Sequence, residues 1–172
     1  MQEIFDDIGH ATWLPFSVIA ARLILATVLG AVIGFEREWR NQPAGLRTHI
    51  LVALAAAAFT VIGLEIVHTP QFEDEGARQD PLRLIEAVTA GVAFLAAGTI
   101  IVARGRIKGL TTGAGLWLAG AVGLAAGLGF WQIAAFATVL AVVVLGLLYP
   151  LQKTLVPARN GAGDDSEVAP PD

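Results

Sequence analysis

Three ionisable residues, Asp80, Arg83 and Glu86, stand within two helical turns at the start of an apolar run. A carboxylate inside an apolar segment could bind a cation such as Mg²⁺, which prefers oxygen ligands. Arg83 and Glu86 are also spaced i,i+3, so they could form an ordinary interfacial ion pair, with Asp80 as the helix cap. We predict that the three residues form a functional polar cluster, and both interpretations of that cluster stay open.

Arg22 lies inside another apolar run, where an arginine must find either water or a polar partner. It could reach the headgroup region near the helix end, as long basic side chains often do. It could instead form an internal ion pair, for which Glu65 and Glu86 are the candidate carboxylates. Arg22 is therefore predicted to be an intramembrane charge that either reaches the headgroup region or forms an internal ion pair.

The residue patterns do not indicate an enzyme. Glu65 and His68 are one helical turn apart, but two ligands do not make a metal site, and the acidic segment 73–80 is typical of a solvated loop. The chain has no cysteine, which excludes disulfides, zinc thiolates and thiol nucleophiles. The sequence contains no Ser-His-Asp set, phosphate-binding loop or paired-carboxylate motif. We expect neither catalysis nor a bound cofactor, and any metal ligand stays unknown.

The composition places these residues in a membrane protein. Apolar residues make up 55% of the 172 residues and charged residues 15%, whereas about 25% are charged in an average soluble domain. Five spans of about 20 residues would use about 100 residues. The sequence therefore predicts an all-α, polytopic bundle of about five transmembrane helices over residues 16–150. The spans are predicted at about 16–35, 50–67, 84–103, 113–128 and 131–149, between an outer segment 1–15 and a disordered cytoplasmic tail 151–172.

The basic residues lie on one side of these spans. Eight of the eleven Lys and Arg residues fall between spans one and two, between spans three and four, or after span five. The N-terminus and the 73–80 loop on the other side are acidic. The positive-inside rule then predicts the N-terminus outside and the C-terminus inside. The formal net charge of −4 argues against nucleic acid as a partner.

Small residues at i,i+4 spacing predict close helix contacts on two spans. One such face lies on the first span and another on the fourth; they comprise Ala26, Gly30 and Gly34, and Ala119, Gly123 and Gly127. Faces of this kind let two helix backbones approach closely, either within one bundle or between two copies of the chain in a homo-oligomer.

Several ordered motifs resemble the membrane domain of the MgtC/SapB family over about residues 20–150. The third span opens with Asp80-Pro81-Leu82-Arg83 and runs through Gly91 to Gly98, and the next loop and span contain Gly109-Leu110-Thr111-Thr112 and Leu116-Trp117. The first connection carries the motif residues Glu36, Arg37, Glu38, Arg47, Thr48 and His49. We predict that Gly91 and Gly98 are also helix-packing positions.

The resemblance implies a multi-pass protein of the bacterial inner membrane. Family members are associated with growth at low magnesium and with bacterial survival inside macrophages, and one is described as inhibiting the F-type ATP synthase. Longer members add a soluble domain after the fifth helix, so we expect its function to be absent here or supplied by another protein. The chain also departs from the family at Ala87, Ala96 and Glu86, where Gln, Gly and a small apolar residue are common.

Two functions from different classes are consistent with these features. The first is a regulatory protein of magnesium homeostasis that acts through helix contacts with another membrane complex, for which the ATP synthase is the family precedent. The second is a transporter or channel for Mg²⁺ or another cation, with Glu86 as an intramembrane ligand. The first is favoured because intramembrane polar groups are few and Mg²⁺ loses its waters reluctantly.

Overall fold

The computed structural model describes residues 12–69, 81–103 and 106–155. Within these residues the chain forms five helices and two short strands. The helices are α1 (Phe16–Trp39), α2 (Leu46–His68), α3 (Pro81–Gly98), α4 (Leu110–Leu128) and α5 (Trp131–Leu155); the strands β1 (Ile101–Ala103) and β2 (Arg106–Lys108) lie between α3 and α4. The predicted all-α helix bundle is confirmed. The orientation in the membrane stays a prediction.

Most helices extend beyond the predicted spans. The first reaches Trp39 instead of residue 35, and the second and fourth begin at Leu46 and Leu110. The last helix continues through Pro150 to Leu155, so the prediction that it ends before Pro150 is wrong. A proline removes one backbone donor and bends a helix, but the helix can resume on its far side. Of the predicted tail, residues 151–155 are therefore helical, and residues 156–172 lie outside the described part.

The third predicted span, 84–103, is shorter than expected because α3 ends at Gly98. Thr99 donates both its backbone N–H and its hydroxyl to the carbonyl oxygen of Ala96, at 3.0 and 2.7 Å, which closes the last turn. The β-branched residues that follow pair as antiparallel strands, with Val102 opposite Ile107. Apolar content alone could not separate this strand from the helix before it.

Small residues bring the central helices close together. The second helix packs most extensively against α1 and α4, while α3 packs mainly on α4. A Cβ at Gly30 would stand 2.8 Å from the carbonyl oxygen of His49, and a Cβ at Gly123 would overlap the carbonyl oxygen of Ala53. These backbones are in direct contact, which is the arrangement that small residues permit between membrane helices.

The bulky apolar side chains point outward. Phe94 is 80% exposed and Phe16 is 77% exposed, whereas the interior is built largely from alanine and glycine. By length and composition, α1, α2 and α4 can each cross a membrane, and Trp131–Gly146 in α5 is a shorter apolar helix. An outer surface of this kind is stable in lipid and not in water. The chain is a membrane protein.

Candidate functional site

Arg37 is buried where α1 ends and α2 and α4 begin, which we call the basic end of the bundle. It is 4% exposed. Its Nη2 donates to Oε1 of Gln42 at 3.3 Å and to Oγ1 of Thr112 at 3.4 Å. Its Nε has no hydrogen-bond partner among the described residues. A buried guanidinium held only by long hydrogen bonds to neutral groups is costly, so its position is a candidate for function.

The neighbouring charged residues tie α1 to other helices. Arg40 forms an ion pair with Glu36, and its Nη2 donates to the carbonyl oxygen of Gly146 in α5 at 3.0 Å. Glu38 accepts the backbone N–H of Leu46, the first residue of α2, at 2.9 Å. Successive charged residues at the end of α1 therefore contact α2 and α5, and Arg37 between them reaches α4.

His49 is completely buried at the same end. Its Nδ1 lies 2.9 Å from the carbonyl oxygen of Gly45, which can only accept, so Nδ1 carries the proton and donates. Its Nε2 has no hydrogen-bond partner in the described chain and faces Gly115, where an added Cβ would stand 3.2 Å away. We call the following residues the basic-end cluster: Glu36, Arg37, Arg40, Gln42, His49 and Thr112.

The family-motif residues do not all belong to this cluster. Glu36, Arg37 and His49 do, and Glu38 caps α2 beside it. Arg47 and Thr48 are exposed. The motif thus combines buried residues, which hold the helices together, with residues on the surface of the basic end.

At the opposite end of the bundle, Arg22 binds a backbone carbonyl. Its Nη1 donates to the carbonyl oxygen of Gly127 at 2.8 Å, and the guanidinium lies against Gly129, which ends α4 in a left-handed conformation. Of the two alternatives for Arg22, the internal ion pair with Glu65 or Glu86 is therefore not formed within the described residues. The last carbonyl groups of a helix carry partial negative charge and lack intrahelical partners, so they suit a buried cation.

Glu65 and His68 hold the segment that precedes α1. The two carboxylate oxygens of Glu65 accept the backbone N–H groups of Trp13 and Leu14, at 2.7 and 3.0 Å. The rings of His68 and Trp13 are stacked with their centroids 3.6 Å apart. Within the described ranges, no three His, Asp or Glu residues come close enough to share a metal ion. These two side chains therefore act as structural contacts here.

The predicted polar cluster of α3 lies on the surface. Arg83 and Glu86 are both exposed, and neither makes an ion pair within the described residues. Asp80 lies outside the described residues. The structure does not bring Arg83 or Glu86 to the basic-end cluster, which is assembled at the other end of the bundle.

The small residues divide into two groups by their surroundings. Most lie where helices cross: Ala26, Gly30 and Gly34 of α1 and Ala119, Gly123 and Gly127 of α4 are all buried. Gly91 and Gly98 of α3 are exposed, and a Cβ at either would have no neighbour within 4 Å in the described chain. No other described helix packs against these two glycines.

Several open grooves run along the described part of the bundle, among them one between α2 and α3 and one between α1 and α5. The α2–α3 groove has a volume of about 480 Å³ and is lined by apolar side chains and glycine, including Ala55, Phe59 and Gly63 of α2 and Ala87, Gly91 and Leu95 of α3. The α1–α5 groove has a volume of about 600 Å³ and is lined by Val28, Val32, Phe35, Glu36, Arg40 and Val142, among others. The α2–α3 groove is purely apolar, whereas the α1–α5 groove ends at the Glu36–Arg40 ion pair.

The sequence model of the MgtC family matches residues 23–154, which include the basic-end cluster and both grooves. The chain belongs to the MgtC family. It is 39% identical over 143 residues to protein MgtC of Brucella abortus (strain 2308), covering 83% of this chain and 56% of that protein. It is 38% identical over 135 residues to protein SapB of Bacillus subtilis (strain 168), covering 77% of this chain and 57% of that protein.

A third MgtC-family relative is YhiD of Escherichia coli (strain K12), whose full name proposes a role as a magnesium transporter. It is 35% identical over 130 residues, which are 76% of this chain and 60% of that protein. The chain thus spans between about half and two thirds of the length of these relatives. No solved structure matches this chain.

Sequence reasoning does not single out Arg40, Gln42 or Thr112 as site residues. In the sequence, Arg40 is only one of several basic residues in the first connection. Gln42 lies five residues after its partner Arg37, in the same connection. Thr112 is 75 residues from its partner Arg37. Its place in the motif Gly109-Leu110-Thr111-Thr112 is the available signal, but Thr also bonds its own helix, so neither the motif nor the residue type indicates a partner.

Proposed function

We propose that this protein acts in magnesium homeostasis of the bacterial inner membrane, by binding another membrane protein through the α2–α3 groove. The proposed role is regulatory: the chain would alter the activity of a partner protein by contact and would not catalyse a reaction itself. The observation that carries the proposal is the unfilled groove beside α3. The proposed occupant is a transmembrane helix of the partner.

The lining of the groove favours a helix as its occupant. Both walls of the groove contain residues with small side chains or none, namely Ala55, Gly63, Ala87 and Gly91. A Cβ added at Gly91 would meet no atom of another described element within 4 Å. Small residues that let backbones approach are the usual contact surface between membrane helices. The groove follows α2 from Val52 to Ile66, about 21 Å at 1.5 Å per residue, which is long enough to hold several turns of a helix.

Charged residues near the end of the groove favour a protein partner over bulk lipid. Arg83 and Glu86 are exposed in the first turns of α3 and lack an ion pair within the described part of the chain. Ionisable groups near a membrane boundary need water or a partner of opposite charge. A partner helix with one acidic and one basic residue at this depth would satisfy both.

The proposed role in magnesium homeostasis rests on the relatives of this chain. The name of the Escherichia coli relative refers to magnesium transport, and the family resemblance adds growth at low magnesium. The resemblance also makes the F-type ATP synthase the first membrane complex to test as the partner.

Photo-crosslinking from defined positions tests the proposed contact. A photoreactive amino acid at Leu95 should give an adduct with an identified ATP synthase subunit in cells grown at low Mg²⁺. The same amino acid at Phe136, which is 66% exposed on α5, is the matched control and should give none. Ala87→Trp, which fills the groove, should abolish the Leu95 adduct. Adducts with lipid alone, with a second copy alone, or equally from both positions would contradict the proposal.

Cation transport is the second candidate function, and the name of the Escherichia coli relative favours it. Glu86 is exposed on the outside of α3, so a path along it would need a wall from another chain. Purified protein in liposomes that contain a Mg²⁺-sensitive dye separates the two candidates. Protein-dependent Mg²⁺ entry that Glu86→Gln abolishes would favour transport over the regulatory proposal.

A further inference from the structure

The α1–α5 groove differs from the α2–α3 groove in its lining. Its lining contains bulky side chains such as Val32 and Phe35, a single alanine and no glycine, whereas three alanines and two glycines line the α2–α3 groove. Walls of this kind do not let a second helix backbone approach closely. They suit a flexible apolar chain, which can follow an irregular surface.

The length of the groove matches one leaflet of a bilayer. From Val28 to Trp39 the first helix rises about 17 Å, at 1.5 Å per residue. The hydrocarbon core of a bilayer is about 30 Å thick, so one leaflet contributes about 15 Å. With the basic end at the membrane surface, where the predicted topology puts it, a groove of this length reaches from the surface to near the middle of the membrane.

The polar end of the groove is formed by the Glu36–Arg40 ion pair. Arg40 is partly exposed there, and its side chain is oriented by Glu36 and by the Gly146 carbonyl oxygen. Trp39, 77% exposed, stands beside it and contacts the Phe35 ring at a centroid distance of 5.9 Å. An amphipathic indole next to an arginine is typical of the membrane interface, and a guanidinium matches the geometry of a phosphate.

We propose that the α1–α5 groove binds an acidic phospholipid. One acyl chain would lie along Val28, Val32 and Val142, and the headgroup phosphate would contact the Arg40 guanidinium. The basic end also carries the exposed residues Arg47 and Lys108. Among the charged side chains described there, the four basic ones (Arg37, Arg40, Arg47 and Lys108) outnumber the two acidic ones (Glu36 and Glu38), so the surrounding surface favours a lipid with net negative charge. This inference concerns a different groove from the proposed function and does not depend on it.

Lipid binding to the purified protein tests the proposal. Phosphatidylglycerol and phosphatidylcholine with the same acyl chains are added to detergent-solubilised protein, and retained lipid is measured by native mass spectrometry. We expect retention of phosphatidylglycerol at least several-fold above phosphatidylcholine, with a rise in the thermal midpoint for the acidic lipid alone. Equal retention of the two lipids would overturn the proposal.

Two variants locate the bound lipid, and a third probes its headgroup. Val32→Trp fills the groove at a position that is 44% exposed, and it should abolish selective retention. Ala87→Trp fills the α2–α3 groove instead and should leave retention unchanged. Arg40→Lys keeps the charge but loses the forked donor geometry, so it should weaken retention several-fold. Selective retention that survives Val32→Trp, or that Ala87→Trp removes equally, would place the lipid elsewhere and overturn the proposal.

Discussion

Arg22 near the start of α1 donates a hydrogen bond from Nη1 to the carbonyl oxygen of Gly127 near the end of α4, over 2.8 Å. The two residues are 105 positions apart in the chain. The contact satisfies a carbonyl of the last helical turn and gives an intramembrane arginine a partner with partial negative charge. It shows how this bundle holds a charge inside the membrane without a carboxylate.

The first prediction concerns this contact. Arg22→Ala should lower the free energy of unfolding in detergent by about 1–2 kcal/mol, because a charge-assisted hydrogen bond is lost and the Gly127 carbonyl group loses its partner. Thermal unfolding of the purified protein measures the change. Arg47→Ala is the matched control, since Arg47 is exposed at the other end of the bundle. Equal midpoints for the two variants would show that Arg22 contributes no more than a surface arginine.

The second prediction compares two glycines in apolar helices. Gly123→Ala should destabilise the bundle by about 1–3 kcal/mol or more, because the new methyl group would overlap the Ala53 carbonyl oxygen and separate α4 from α2. Gly91→Ala should leave stability within about 0.5 kcal/mol of wild type or raise it slightly, since no other element of the described chain comes within 4 Å of the new Cβ and alanine favours helix. Thermal midpoints at equal detergent concentration test the pair. Similar losses for the two variants would contradict the helix contacts described above.

Local patterns explain which parts of the fold can be predicted. The number of helices and the small-residue faces of α1 and α4 follow from apolar runs and i,i+4 spacing, both of which act over one or two turns. The sequence pattern places the end of α3 too late, because Ile101 and Val102 are as apolar as the helix before them. Their strand pairing depends on Ile107 and Lys108, which lie five to seven residues later in the chain.

The site is harder to predict because its contacts are long in sequence. From their spacing, Glu65 and His68 are at most two weak ligands for a cation. Their actual partner is Trp13, which lies more than 50 residues earlier in the chain. A carboxylate partner is expected for Arg22 because side-chain charges are visible in a sequence. The carbonyl group it binds belongs to every residue and carries no sequence signal, so only the packing of α1 on α4 reveals it.

The third prediction concerns the start of α2. Glu38→Gln should lower stability by about 0.5–1 kcal/mol, because Glu38 accepts the Leu46 N–H and its charge favours a helix N-terminus. Glu86→Gln is the control, since that carboxylate makes no ion pair in the described chain. Unfolding midpoints at low and high salt check the effect. A loss at Glu38 that does not shrink with salt would show that the charge plays no part.

The fourth prediction is the orientation in the membrane. Reporter fusions after Ala44, after Lys108 and at the C-terminus should report the cytoplasm, and a fusion after Glu75 should report the outside. The reason is the clustering of Lys and Arg residues in the connections on one side. Each fusion is compared at matched membrane abundance. A cytoplasmic signal from the Glu75 fusion would contradict both the five-span topology and its direction.

The last prediction tests the polar residues of α3 in cells. A strain that lacks this protein is grown at low Mg²⁺ and complemented with variants at matched membrane abundance. Arg83→Ala and Glu86→Gln should insert normally, because both side chains are exposed and support no described contact within the chain. Both should nevertheless fail to restore growth, because the charges that would meet a partner at the end of the α2–α3 groove are gone.

Two further variants separate this loss of contact from a loss of folding. Asp80→Ala removes the predicted helix cap, worth about 1 kcal/mol, and should lower the folded yield instead. Gln132→Ala removes an exposed polar side chain at the start of α5 and should restore growth fully. A partner with complementary charges also predicts that Arg83→Lys rescues growth where Arg83→Ala does not, since a lysine keeps the charge. Full rescue by Arg83→Ala and Glu86→Gln alike would mean that growth depends on neither charge, and the partner would then have to bind elsewhere on the bundle.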